Sequence, residues 1–390
     1  MWSIFNRPLI ETYGWQVQEV SLAFSVMMLV ACCSGFLAGW LQRRVQPSRQ
    51  ILVGGLLYGL GWLLAGFVDT IPMLYLTFGL VGGLGNGLIY NTAIAVAVKW
   101  FPDKRGLANG IVVGGTGLAP LFFAPYGNFL IEHMGVADAF KVVGATLMVI
   151  YLLFSWALRW PERSMADRIE VRDTHWLRHE GKDYQPYEML CSGRFWLMWL
   201  ILACAATSGT MMIGHAASIG QSLAGISAGE AAGLVGLMAA ASFVGRMAFG
   251  TLSDHTGRFI ALLAMMCVTG ADMLLFFGNA HDLPSFAIAL CGIAACYGGT
   301  MAVVPSLCGD IFGQRYFGSN YAFLYTAYTA ASFVGPMLAA YFAASTGLYD
   351  MAFVLAGSLS FAAAFLCLVA RRFQSRVLDQ VDLQLEQCER

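Results

Sequence analysis

Few side chains in this 390-residue sequence have the chemistry to act on a ligand, and they stand far apart in long apolar runs. Arg246 lies in LVGLMAAASFVGRMAFG, eight residues before Asp254 of the motif GTLSDHTGR at 250–258. On a helix that spacing is about 12 Å of rise. A guanidinium so deep in apolar sequence must pair or face water, and its planar fork matches a carboxylate. The alternative is an arginine that snorkels toward the helix end and pairs with loop acids. Tyr321, Tyr325, Tyr328 and Ser332 follow a 4-3-4 spacing and share one helix face, where hydroxyls can orient a small anion while its carbon skeleton packs on the rings. His215 and Asp272 are two more titratable groups within apolar runs, each able to carry a proton or to serve only as a structural hydrogen-bonding group. No run holds H-E-x-x-H, G-x-S-x-G or acids at metal-binding spacing, so neither an enzyme nor a metal site is expected. The ten cysteines include no C-x-x-C pair and read as small buried hydrophobes; no cofactor is implied.

The elements that must position these residues are membrane helices. Charged residues make up 12% of the chain and apolar ones 58%, whereas a soluble domain carries about 25% charged residues. Runs of roughly 17–25 apolar residues suffice to cross a bilayer. Eleven are marked: 20–41, 51–68, 72–98, 106–131, 138–158, 193–219, 227–250, 259–279, 285–308, 317–345 and 348–370. Of the 22 lysines and arginines, nineteen fall in alternate loops on one side, which the positive-inside rule makes cytoplasmic, with the C-terminus there and the N-terminus outside. The net charge of -1 says little about partners, and with no basic cluster with interleaved aromatics no nucleic-acid partner is expected. The first twenty residues carry no basic stretch followed by an apolar one, so no cleavable leader is expected.

A polar break divides the chain into an N-terminal bundle at 1–160, a cytoplasmic linker at 161–190, a C-terminal bundle at 191–372 and a cytoplasmic tail at 373–390. The two bundles repeat one another. Gly39 corresponds to Gly250, Gly106 in KWFPDKRGLANG to Gly318 in GQRYFGSNY, and Pro125 to Pro336, at offsets of 211 or 212. Such parallel halves are how major facilitator carriers are built. The offset pairs Tyr328 with Thr116. It also leaves five spans in the first half against six in the second, so a helix is expected to precede residue 20, with residues 1–9 as its end. GTLSDHTGR reads as a conformational latch: Gly250 and Gly257 permit close approach and a tight turn, Asp254 accepts hydrogen bonds from a neighbouring helix end, and Arg258 pairs across the loop. Its first-half counterpart, GWLQRRVQP, has Arg43 in the acid's place, which puts that latch in doubt.

KWFPDKRGLANG, GRMAFGTLSDHTGR, and DIFGQRYFGSNYAFLY followed by FVGP resemble the oxalate:formate antiporter family, akin to the monocarboxylate porters within the major facilitator superfamily. The resemblance runs from about residue 2 to 372. It implies an all-α membrane protein of the major facilitator fold, two pseudo-symmetric bundles with eleven of twelve spans in this chain, and alternating access to a central anion site. It further implies that Arg246 matches the arginine that binds substrate carboxylate and Tyr90 a cavity aromatic. Tyr328 stands where the family's oxalate carriers have a second cation, a lysine. Ser242 stands where related porters often have an acid, one turn before the arginine. With one central cation, a monocarboxylate fits better than a dicarboxylate. The expected activity is secondary transport of a small organic anion, by proton symport or exchange for a counter-anion, by a monomer in a plasma or bacterial inner membrane. A sensor or scaffold that keeps the fold without transport, and an inactive shortened carrier, are the rival readings.

Overall fold

In lipid, a backbone without water must satisfy its polar groups internally, so apolar sequence of this kind folds as helices. The computed structural model describes residues 2–161, 183–223, 228–276, 282–346 and 350–388. Among them are α1 Ser3–Tyr13, α2 Val17–Leu41, α3 Pro47–Ala65, α4 Ile71–Trp100, α5 Arg105–Phe154, a short α6 Pro186–Leu190, α7 Gly193–Leu223, α8 Ala228–Thr256, α9 Arg258–Ala271, α10 Leu283–Phe312, α11 Phe317–Thr346 and α12 Asp350–Cys388. Each marked apolar run overlaps one of these helices. By length and composition, five stretches among the described residues can cross a membrane: Glu19–Leu41, Ile71–Trp100, Pro102–Ala157, Leu283–Phe312 and Met351–Arg372.

Several ends and breaks have local causes. The 50 residues of α5 would reach about 75 Å if straight, far beyond an apolar layer of about 30 Å. Gly135, at φ 81 and ψ 168, breaks the helix between the two expected spans 106–131 and 138–158. α1 runs past the expected 1–9 to Tyr13 and stops where Gly14 turns left-handed, a common helix end. α12 carries the polar tail onward as helix to Cys388. Two π-helical turns interrupt the regular ladder, Tyr75–Gly82 within α4 and Asp272–Phe276 after α9. Residues 162–182 of the expected linker lie outside the described residues.

By its contacts the chain forms two compact units. The first comprises Met1–Trp100, Leu118–Arg168 and Phe317–Phe323. Its core gathers Trp2, Phe5 and Leu9 of α1 around Trp62, Phe78 and Phe140, with Trp2 stacked on Phe78 at 4.1 Å. The second comprises Phe101–Gly117, Ile169–Tyr316 and Leu324–Arg390. Its core includes Met211, Met238, Phe286, Ile293 and Phe353. Each unit thus takes its bulk from one sequence half and adds the opening turns of a helix, α5 or α11, from the other.

Candidate functional site

The second unit assembles its polar groups where the first turns of α5 meet α8. A Cβ added to Gly106 would lie 2.6 Å from Ser253 Oγ and would meet the Gly250 carbonyl, while one on Gly250 would meet the Gly106 carbonyl. The helices therefore touch backbone to backbone. Asp254 projects from α8 over the start of α5 and accepts hydrogen bonds from the backbone N–H of Gly106 (2.9 Å) and Leu107 (3.0 Å). These are first-turn donors with no partner inside their own helix, and a carboxylate also favours the positive end of the helix dipole. Arg258 donates through Nη1 to Asp254 and to Ser253 Oγ (2.8 Å), and through Nε to Asp310 (3.0 Å). Arg105 meets the other oxygen of Asp310 at 2.5 Å. The Arg258 and Asp254 side chains are only 6% and 5% exposed, so solvent screens this latch weakly. Gly257, at φ 93 and ψ 148, makes the turn that lets Arg258 open α9 and reach back.

Two turns above the latch, Arg246 extends from α8 to the same face of α5. It is buried, and Nη1 donates to the Val113 carbonyl at 2.7 Å. Among the described residues no carboxylate pairs with it, and its buried Nε meets no acceptor. The approach depends on α5 being thin here: a Cβ on Gly117 would fall 2.5 Å from Nη1. Thr116 donates its hydroxyl to the same Val113 carbonyl at 2.6 Å. Arg246 and Thr116 therefore converge on one backbone oxygen. Next to them Gly115 is exposed, with open space where a side chain would be.

Tyr328 and Tyr325 of α11 also come together, ring centres 5.0 Å apart. Tyr297 of α10 donates its hydroxyl to that of Tyr328 at 3.1 Å and packs on Gly209 of α7. Tyr321 is instead buried in the first unit, stacked on Phe317. Tyr90 is half-buried on α4, also in the first unit. Asp272 is buried in the second unit against Gly292 of α10, while Ala295 and Gly298 of α10 pack on Gly245 and Ser242 of α8. α10 thus stands between Asp272 and the stretch of α8 that bears Arg246. His215 is on α7, and its side chain lies outside the described residues.

In the first unit the equivalent crossing is made by α2 and α11. A Cβ on Gly39 would collide with the backbone of Gly318 and Ser319. Arg43 is exposed, and the buried place goes to Gln42, which donates to Asn91 Oδ1 at 2.8 Å, while Asn91 Nδ2 donates to the Gly318 carbonyl at 3.1 Å. The doubtful first-half latch is therefore built from neutral amides.

The model of the Major Facilitator Superfamily matches residues 2–319. The chain belongs to that superfamily. Like its other members, this major facilitator protein is a transporter and not an enzyme by family. The oxalate:formate antiporter of Oxalobacter formigenes is 30% identical over 370 residues, covering 93% of this chain and 84% of that protein. Monocarboxylate transporter 12 of Mus musculus is 27% identical over 384 residues, covering 89% and 77%. The crystal structure of the E. coli fucose:proton symporter superposes with a TM-score of 0.72 over 95% of both chains at 15% identity, which shows the major facilitator fold.

Sequence reasoning missed three groups of this site. The Val113 carbonyl is a backbone atom and leaves no compositional trace. Tyr297 reads as one more core aromatic, since its hydroxyl partner is on another helix. Asp310 and Arg105 close the latch around Arg258; the available signal was an acid at the end of an apolar run.

Proposed function

We propose that this transporter carries small monocarboxylates by alternating access, with Arg246 as the ligand of the carboxylate. The observation that carries the reading is the state of that guanidinium: buried, tied to one backbone carbonyl, without a carboxylate among the described residues, and with an unused Nε. Arginine at the centre of a membrane helix costs about 2.5–3.5 kcal/mol, and a single carbonyl offsets little of its charge. A carboxylate anion supplies the missing charge and two acceptors in the plane of the fork. Thr116 and the Tyr325–Tyr328 pair serve as polar and aromatic contacts for the rest of the molecule. The Tyr297–Tyr328 hydroxyl pair is neutral, which supports one carboxylate rather than two. Gly250, Asp254, Gly257 and Arg258 form the latch that parts during the cycle, as the sequence halves 1–160 and 191–372 move. The protein works as a monomer, multi-pass in the plasma membrane of a bacterium, its C-terminus on the cytoplasmic side as the lysine and arginine distribution dictates. The names of the antiporter and monocarboxylate relatives agree with this substrate class.

The test is counterflow of labelled formate, lactate and oxalate in proteoliposomes. The wild type is expected to exchange a monocarboxylate faster than oxalate. Arg246→Lys keeps the charge but loses the fork, and is expected to lower exchange at least about tenfold at normal membrane abundance. Exchange in that variant at the wild-type rate overturns the assignment. Binding of a probe with no flux in the wild type would mark a sensor instead.

A further inference from the structure

The chain has 23 acidic residues, and among the described ones placement singles out one. Asp254 and Asp310 neutralise Arg258 and Arg105 at helix ends. Asp272 lies fourteen residues beyond Arg258, about 21 Å along the helix, well within an apolar layer of about 30 Å. It is 9% exposed and, among the described residues, has neither a hydrogen bond nor an ion pair. Its Oδ2 lies 2.9 Å from where a Cβ on Gly292 would be, so the carboxyl rests on the backbone of α10 in space that only glycine leaves open. Thr269, one turn earlier on α9, is buried beside it, and α10 contributes the Cys296 thiol. The other neighbour of this part of α9 is α12, whose Gly357 and Phe361 pack on Leu274 and Gly270. Among the described residues no cation faces the carboxyl from α10 or α12, and Arg246 of α8 is turned to α5. The π-helical turn Asp272–Phe276 begins at this residue, and such turns concentrate at functional positions.

We infer that Asp272 is the proton site of the carrier, so that a monocarboxylate moves together with one proton; the inference rests on the carrier reading above. A carboxylate buried in an apolar layer without a counter-charge neutralises by binding a proton. On loading, a proton from water forms an O–H bond at a carboxylate oxygen. On unloading, that bond breaks and the proton returns to water on the other side, with no change in oxidation state. The mechanical link is α10, whose Gly292 faces Asp272 while Ala295 and Gly298, one and two turns on, press against Gly245 and Ser242 of α8. Ionised Asp272 must reach water, which requires α9 and α10 to part. α10 then bears differently on α8 beside Arg246. One monocarboxylate on one guanidinium and one proton on one carboxyl make the loaded carrier neutral at both sites.

The test compares wild type, Asp272→Asn and Asp272→Glu in proteoliposomes, together with His215→Gln. Accumulation of labelled lactate driven by an imposed pH gradient is measured beside lactate counterflow at equal pH. Asp272→Asn is expected to lose at least tenfold in pH-driven accumulation and far less in counterflow, with partial recovery in Asp272→Glu. Independently of any substrate, the infrared carbonyl band of a protonated carboxyl is expected in the purified wild type and absent in Asp272→Asn. Wild-type pH-driven accumulation in Asp272→Asn, equal loss of both activities, transfer of the defect to His215→Gln, or an unchanged infrared band each overturns the proton site. Wild-type counterflow without pH-driven accumulation overturns the coupling and leaves the carrier standing. Absence of all counterflow with the infrared band present overturns the carrier reading instead.

Discussion

A guanidinium has five N–H donors, and Arg246 has one of them on the Val113 carbonyl. That bond exists because Gly117, one turn on from Val113, leaves the flank of α5 bare. Gly117→Ala puts a methyl group 2.5 Å from the present place of Nη1, so the fork must swing off the carbonyl. A hydrogen bond from a charged donor contributes about 1.5–3 kcal/mol. The variant is therefore expected to weaken binding of a labelled monocarboxylate about tenfold, read from saturation of counterflow, with little change in abundance. Unaltered affinity would mean that the position of the fork is not set by α5. Arg246 itself was legible in the sequence, because a lone cation in an apolar run has few bland explanations. Its partner was not, because any residue type supplies a carbonyl and the contact spans 133 positions. Tyr321 shares the spacing of Tyr325 and Tyr328, but it packs in the first unit, buried and stacked on Phe317.

α5 carries glycines that look alike in sequence and differ in what surrounds them. At Gly106 a methyl group would drive into the Gly250 carbonyl and Ser253 Oγ, whereas at Gly115 it would meet nothing within 4 Å. Gly115→Ala is expected to stabilise by about 0.5–1 kcal/mol through the lower flexibility of alanine in a helix. Gly106→Ala is expected to destabilise by about 1–3 kcal/mol, the usual range for an overpacked contact. Thermal unfolding in detergent should move in opposite directions for the two variants. A shared sign would show that helix propensity, not the crossing, decides both. Helix positions were legible from apolar run length, and the break at Gly135 from the gap between two runs. The π-helical turns were not, since they arise from how a helix accommodates neighbours rather than from composition. The short amide latch was likewise hidden: Gln42 is ordinary in sequence, and only packing brings Asn91 of α4 to it.

At the scale of the whole molecule, the repeat seen in the sequence acquires a physical meaning. Gly39 and Gly250 are equivalent, as are Gly106 and Gly318; the structure pairs Gly39 with Gly318 in one unit and Gly106 with Gly250 in the other. The same crossing is thus made twice with exchanged partners. Its chemistry is not repeated. By the offset of 211, Asp254, Arg258 and Asp310 correspond to Arg43, Pro47 and Lys99, and by 212 Arg105 corresponds to Phe317, so the charges of the second crossing are lost or reversed in the first. Hydrogen bonds to charged groups contribute about 1.5–3 kcal/mol and neutral ones about 0.5–1.5 kcal/mol. Asp254→Asn should consequently release its crossing more than Gln42→Leu releases the other. A single cysteine in place of the buried Ala108 for the second crossing, and in place of the buried Ala38 for the first, in a chain whose native cysteines are replaced, reports on release through its reaction with a membrane-impermeant thiol reagent. The reactive fraction is expected to rise about 10–100-fold in Asp254→Asn and about 2–10-fold in Gln42→Leu. Equal effects would show that the glycine contacts hold both crossings and that the charges only decorate one of them. A larger effect of Asp254→Asn would instead mean that the second crossing sets the barrier to release, so that ligands or lipids acting on the cycle from the latch end would act chiefly through Asp254.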